Sequence, residues 1–148
     1  MTTLHDIWHT YHNQKHATDT GTKTHLMLQS VFIASDSDAT GDATLVSKIR
    51  QTPGLAKLFS PQSKTEVPIA GTINNHFISR RIDRLLIDET AKTIHILDYK
   101  TDTTPDIFRT KYIAQINEYI ALVRNIYPDY HIHAYILWTH DFTLEQIQ

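Results

Sequence analysis

A chain of 148 residues with 41% hydrophobic and 20% charged residues is long enough for one domain with its own core and too short for two ordinary ones. The absence of cysteine excludes a disulfide framework, a thiolate zinc site and an iron–sulfur cluster. A formal net charge of −2 excludes a general polyanion-binding surface, so any grip on nucleic acid must be local or come from a partner.

In chain order, Leu4 to His16 reads as a polar helix with few apolar anchors, and Asp19-Thr20-Gly21 breaks it with capping residues. Leu26, Leu28, Val31 and Phe32 fit a second helix over Thr22 to Ile33. Ser35 to Thr44 is rich in Asp, Ser, Thr and Gly, the composition of a loop. Leu45, Ile49, Leu55, Leu58 and Phe59 mark short helical pieces interrupted by Pro53-Gly54. From Lys64 the character becomes extended. Lys64 to Ile69 is a short run, His76 to Ile87 a strand, and Ile94 to Tyr99 another beyond the turn-like Asp88-Glu89-Thr90. Ile113, Ile116, Ile120, Val123 and Tyr127 recur at helical spacing between Phe108 and Tyr127. Pro128-Asp129 ends that helix, and Ile132 to Trp138 is a last strand. A three-strand meander followed by a helix and a further strand predicts an α/β layered domain. No apolar run approaches the roughly eighteen residues of a membrane span, and no signal-peptide core is visible, so the expected location is cytoplasmic.

The chemistry concentrates at strand ends. Asp98 and Lys100, two residues apart on one strand, point to the same face, which they share with Ile94 and Ile96. An acid and a lysine that continue an apolar face form either a buried ion pair or a site that binds a metal and a phosphate. Asp83 ends the preceding β-rich run. Together the three supply what phosphodiester hydrolysis asks for: carboxylates to hold Mg²⁺ or Mn²⁺, and a positive charge beside the phosphate. Arg80, Arg81 and Arg84 flank Asp83 and are either phosphate contacts or solvated, salt-bridged arginines.

The order Gly71…Ile82-Asp83-Arg84-Leu85, Asp98-Tyr99-Lys100-Thr101, Gln115-x-x-x-Tyr119 resembles the PD-(D/E)xK nuclease domain of the RecB family. It is most similar to the C-terminal nuclease domain of AddA-type helicase–nucleases of bacterial double-strand-break repair. Gly21-x-x-x-His25-x-x-Leu28-Gln29 looks like that family's upstream histidine motif, Glu66-Val67-Pro68 like its early acidic position, and Ala134 to Thr139 like its closing strand.

The resemblance implies a restriction-endonuclease-like core, a mixed central sheet flanked by helices, over residues 20–139, with residues 1–19 as a helical extension of a single domain. It implies that His25, Asp83 and Asp98 hold Mg²⁺ or Mn²⁺ with the Tyr99 carbonyl, that Lys100 is the catalytic lysine, and that Glu66 supports the metal or its waters. Gln115 and Tyr119, at i and i+4 on one helical stripe, would contact the site or the DNA backbone, as would Arg81 and Arg84. The implied activity is a metal-dependent deoxyribonuclease, an exonuclease fed by a helicase domain or partner subunit. No phosphate-binding G-x-x-x-x-G-K-[ST] loop accompanies these residues, so the motor itself lies elsewhere. The alternative is a silent module of the same fold that binds DNA or a protein. A separate stripe, His5, His9, His12 and His16, presents imidazoles at helical spacing, of which His5 and His9 at i and i+4 are a candidate zinc or nickel pair. Without the Glu of an HExxH site it reads rather as a solvated polar face or a surface against a partner.

Overall fold

The computed structural model describes residues 3–4, 21, 23–102 and 105–148. The expected helix over Leu4 to His16, with its histidine stripe, lies outside the described residues apart from Leu4. A mixed five-stranded sheet in the order β3-β4-β5-β6-β7 forms the centre, with helices on both faces. Its strands are β3 (Lys64–Ile73), β4 (His76–Asp88), β5 (Thr93–Lys100), β6 (His131–Trp138) and β7 (Thr143–Gln146). β3, β4 and β5 run antiparallel, β5 and β6 parallel, and β6 and β7 antiparallel.

Each junction has a local cause. Asn74 and Asn75 both take positive φ (50° and 65°), the two-residue loop that suits the twist of the β3–β4 hairpin. Pro68 has no amide to donate and sits in β3, an edge strand, where a missing ladder bond costs little. Asp88 Oδ1 accepts the Ala91 amide at 2.9 Å and closes the β4–β5 turn. The parallel β5–β6 pair needs a crossover, supplied by α3 (Pro105–Ile126), which begins on a proline.

α3 lies on one face of the sheet. Its Ile116, Tyr119, Ile120 and Val123 recur at i, i+3, i+4 and i+7 and bury against Ile69, Ile82, Ile94, Ile96 and Ile136. Gly71 allows the close approach: a Cβ there would stand 3.0 Å from Leu122 Cδ2. The opposite face carries α1 (residues 23–29), α2 (Ala43–Gln51) and a 3₁₀ turn (Ala56–Phe59). Leu28, Val31, Ile49, Leu55 and Phe59 pack there against Leu97, Tyr99 and Leu137. β5 therefore alternates as expected, with Ile94 and Ile96 toward α3 and Leu97 and Tyr99 away from it.

Three expectations change. Helix α1 ends before Ser30, and Phe32–Ile33 forms β1, paired with β2 (Ala39–Thr40) in a small antiparallel sheet. The expected loop from Ser35 to Thr44 thus contains a strand, and α2 starts inside it, where the Asp42 carboxylate caps the Leu45 amide at 2.9 Å. A fifth strand, β7, also extends the sheet. No helix among the described residues is long and apolar enough to cross a membrane.

Candidate functional site

The sheet is irregular at one rung. In the β3–β4 ladder Thr65 pairs with Arg84 and Val67 with Ile82, which leaves Glu66 and Asp83 facing one another unpaired. The β4–β5 ladder stops at Arg84–Leu97, one rung short of Asp83 and Asp98. Glu66, Asp83 and Asp98 thus occupy equivalent positions on three neighbouring strands, at the place where the pairing opens. Glu66 has φ 52°, a left-handed conformation rare outside glycine. Facing shifts there too. Ile82 and Leu85, three residues apart, both bury on the α3 side, so the two-residue alternation of β4 slips by one at Asp83 and Arg84.

Around this opening the side chains converge. Asp83 Oδ2 accepts the Tyr99 amide at 2.8 Å. On α1, His25 donates from Nε2 to the Tyr99 carbonyl at 3.0 Å, and its Nδ1 lies 3.8 Å from Asp83 Oδ1. Lys100 Nζ is 2.8 Å from Asp98 Oδ2, donates to Gln115 Oε1 at 2.9 Å, and stands 4.5 Å from the centre of the Tyr112 ring. Gln115 in turn donates from Nε2 to the Tyr119 hydroxyl at 2.8 Å. The Lys100–Asp98 contact has ion-pair distance without hydrogen-bond directionality, and Asp98 Oδ2 is buried with no hydrogen-bond partner.

Electrostatics mark Asp83. Burial first, then the Asp98 carboxylate beside it, push the Asp83 carboxyl up to about 8, against the pull of the Tyr99 amide and of Lys100. Two buried acids on opposed strands cannot both hold a full charge cheaply, so the pair favours a proton or a cation between them.

The residues expected at the site fall into three groups. His25, Asp83 and Tyr99 form one set of contacts and Asp98, Lys100, Gln115 and Tyr119 a second, and the neighbouring carboxylates of Asp83 and Asp98 bring the two sets together. Tyr119 is 2% exposed and belongs to the core as well, so its hydroxyl anchors Gln115 and has no open face for DNA. Glu66 lies on the same rung and approaches Arg81, whose Nη1 is 3.8 Å from Glu66 Oε2. Arg81 is exposed. Arg84 is 1% exposed, and so has no surface for a phosphate.

Sequence reasoning missed what Arg84 does. Its Nε donates to the Tyr99 hydroxyl (2.8 Å), Nη1 to Ser63 Oγ (2.7 Å), and Nη2 to the carbonyls of Leu28 (2.9 Å) and Val31 (3.0 Å). The guanidinium stacks on Phe59 at 4.1 Å and Phe32 at 5.0 Å. It holds the carboxyl end of α1, the helix that carries His25, against the strand that carries Tyr99. The one sequence signal was an arginine placed inside the run Ile82 to Ile87.

The donor types are those a hard divalent cation takes: two mutually repelling carboxylates, a peptide carbonyl and one imidazole, with Lys100 2.8 Å from the buried Asp98 Oδ2. The donors are not yet arranged as ligands. Among the described residues no group of three His, Asp or Glu side chains stands at ligand spacing, and the His25 ring is hydrogen-bonded to the Tyr99 carbonyl. Binding by that nitrogen requires the two to separate.

The chain and this site define a mixed α/β domain with a polar cluster at an opened sheet rung. No family model matches the chain, and no curated protein matches it.

Proposed function

We propose that the protein is a metal-dependent deoxyribonuclease domain of the PD-(D/E)xK, RecB-like class, working on DNA presented by a helicase domain or subunit as an exonuclease. The observation that carries this reading is the meeting of Asp83, Asp98 and Lys100 beside the unpaired rung, two buried carboxylates with the lysine 2.8 Å from Asp98 Oδ2. A purely structural cluster gains nothing from burying Asp83 beside a second carboxylate, the two causes that raise its pKa.

In this reading Asp83, Asp98, His25 and the Tyr99 carbonyl would hold Mg²⁺ or Mn²⁺. When bound, the ion supplies an activated water and charge neutralisation at the phosphoryl oxygens. Hydrolysis joins the water oxygen to phosphorus, breaks one P–O ester bond and returns a proton to the departing alkoxide. Lys100 presents its positive charge to the phosphoryl oxygens as negative charge accumulates there. Gln115 fixes the Lys100 head group, and Tyr119 fixes Gln115. Glu66 stands on the same rung, where it can orient water.

End-labelled DNA incubated with Mn²⁺ or Mg²⁺ tests the proposal. The parent should release product, and Asp98→Ala and Lys100→Ala should each cut at least about 100-fold more slowly. Equal rates in parent and variants, or no product from the parent, would sink it. The His25–Tyr99 hydrogen bond favours a second reading, a silent module with its donor set closed on itself. Calorimetry separates the two, since the module takes up neither cation yet still binds DNA or a protein.

A further inference from the structure

Beside the acid pair, on the α3 side of the sheet, lies a cleft of about 460 Å³ whose walls come from three elements. β4 contributes Arg80, β5 contributes Lys100, and α3 contributes Lys111, Gln115 and Glu118. Lys111, Gln115 and Glu118 are spaced by four and three residues, which puts them on one stripe of α3. Three cations face one carboxylate here, a local positive excess inside a chain whose net charge is −2.

The three cations are held differently. Lys100 is mostly buried and committed to Asp98 and Gln115. Lys111 is exposed and makes no ion pair among the described residues. Arg80 donates from Nε to Glu118 Oε2 at 2.8 Å and from Nη1 to the Ser79 carbonyl at 2.9 Å. Both partners in the Arg80–Glu118 bridge are about one-third exposed or more (40% and 34%), so the bridge is weak and easily exchanged for another anion.

Resting on the nuclease reading of the neighbouring acids, we infer that this cleft is the seat of a second phosphate, one along the strand from the phosphate being cut. Lys111 and Arg80 grip it, and Glu118 occupies Arg80 until the strand arrives. Arg80 and Lys111 are binding residues here, and Glu118 is a competitor of the ligand. The ligand class is the sugar–phosphate backbone of a DNA strand, recognised by charge and without base contacts. Lys100 then touches both subsites, which gives the cut phosphate a fixed position relative to its neighbour.

The experiment is binding of a fluorescein-labelled twelve-residue oligothymidylate, followed by anisotropy in EDTA over a salt series, so that no cleavage is needed. The parent should bind with a salt-dependent affinity. Lys111→Ala and Arg80→Ala should each weaken binding roughly fivefold and flatten the log–log salt slope by about 0.7, the value of one phosphate contact on a single strand. Glu118→Gln should tighten binding by freeing Arg80, whereas Glu89→Gln, the same charge change in the distant β4–β5 turn, should not. A structural bridge would make Arg80→Ala and Glu118→Gln alike, so opposite shifts separate the two roles.

No binding by the parent, unchanged slopes in Lys111→Ala and Arg80→Ala, or weaker binding by Glu118→Gln overturns the inference. Cleavage in Mn²⁺ is scored apart. A parent that binds as described but never cuts keeps the cleft and loses the nuclease, and a parent that cuts while all variants bind alike does the reverse.

Discussion

Asp83 and Arg84 are consecutive residues of β4, both buried, and they show two ways of placing charge inside a protein. Arg84 has its donors met by a phenol, a hydroxyl and two carbonyls, with aromatic rings along its plane. Asp83 has one good hydrogen bond, from the Tyr99 amide, and a second carboxylate for a neighbour. Both are buried polar groups in a medium that magnifies electrostatics. One is satisfied and serves the fold. The other is frustrated: burial, and then the second carboxylate beside it, are the sources of its raised pKa.

The sharpest way to break that comparison is to remove the satisfied member. Arg84→Met keeps the bulk but strips partners from Ser63, the Tyr99 hydroxyl and the Leu28 and Val31 carbonyls. We expect a loss of about 3–5 kcal/mol in denaturant-unfolding free energy. Arg84→Lys should recover little of it, because an ammonium cannot reproduce the planar fork. A loss under about 1 kcal/mol would show that the network is dispensable, and the contrast with Asp83 would collapse.

That contrast explains what could be read from sequence. The alternation Ile94, Ile96, Asp98, Lys100 is local and survives intact in β5, as does the helical spacing of Ile116, Ile120 and Val123 in α3. Asp83, Asp98 and Lys100 were legible as candidates because their residue types are unusual at those positions, and His25 only through the resemblance of its motif. Arg84 was not, because its partners come from three other segments of chain and no window contains them. The shared rung of Glu66, Asp83 and Asp98 depends on two strand registers, which pattern does not encode. Val31 and Phe32 looked helical because a short apolar run is ambiguous between helix and strand. β7 carries one large apolar residue outside its partly buried Glu145, whose carboxylate pairs with Arg109 and accepts from Trp138 Nε1 at 2.9 Å. Contacts across the sheet make it a strand; its own sequence does not.

Per pH unit, a smaller effect sharpens the frustrated side. Asp83 holds its proton up to about pH 8 in the folded state, against 3.8 for the ordinary carboxyl of an unfolded chain. Between those values the native state binds the proton more tightly, so the stability this group contributes is complete below about pH 4 and disappears as pH rises toward 8. Asp83→Asn is permanently neutral and should abolish that dependence. Measured by denaturant unfolding at each pH, the variant should gain on the parent by at most about 1.4 kcal/mol per pH unit and level off above pH 8. Parallel pH profiles would mean that Asp83 is as comfortable as Arg84.

The smallest effect concerns the third acid of the rung. Glu66 is held at φ 52°, where a side chain costs on the order of 1 kcal/mol and glycine costs nothing sterically. Glycine gives back part of that gain through the greater freedom of the unfolded chain. Glu66→Gly should therefore remain within about 0.5 kcal/mol of the parent in stability. Glu66→Gln keeps both the strain and the size and removes only the charge. If the acid belongs with Asp83 on the frustrated side, both variants should cut DNA more slowly at unchanged stability. If it belongs with Arg84, Glu66→Gly should unfold at clearly lower denaturant while Glu66→Gln cuts normally, because its 3.8 Å approach to Arg81 would then be its whole contribution. An exposed approach of that length is too weak to hold a residue in left-handed backbone. The left-handed residue coincides with the unpaired rung opposite Asp83, so Glu66→Gln, which leaves that backbone alone, reads the carboxylate by itself.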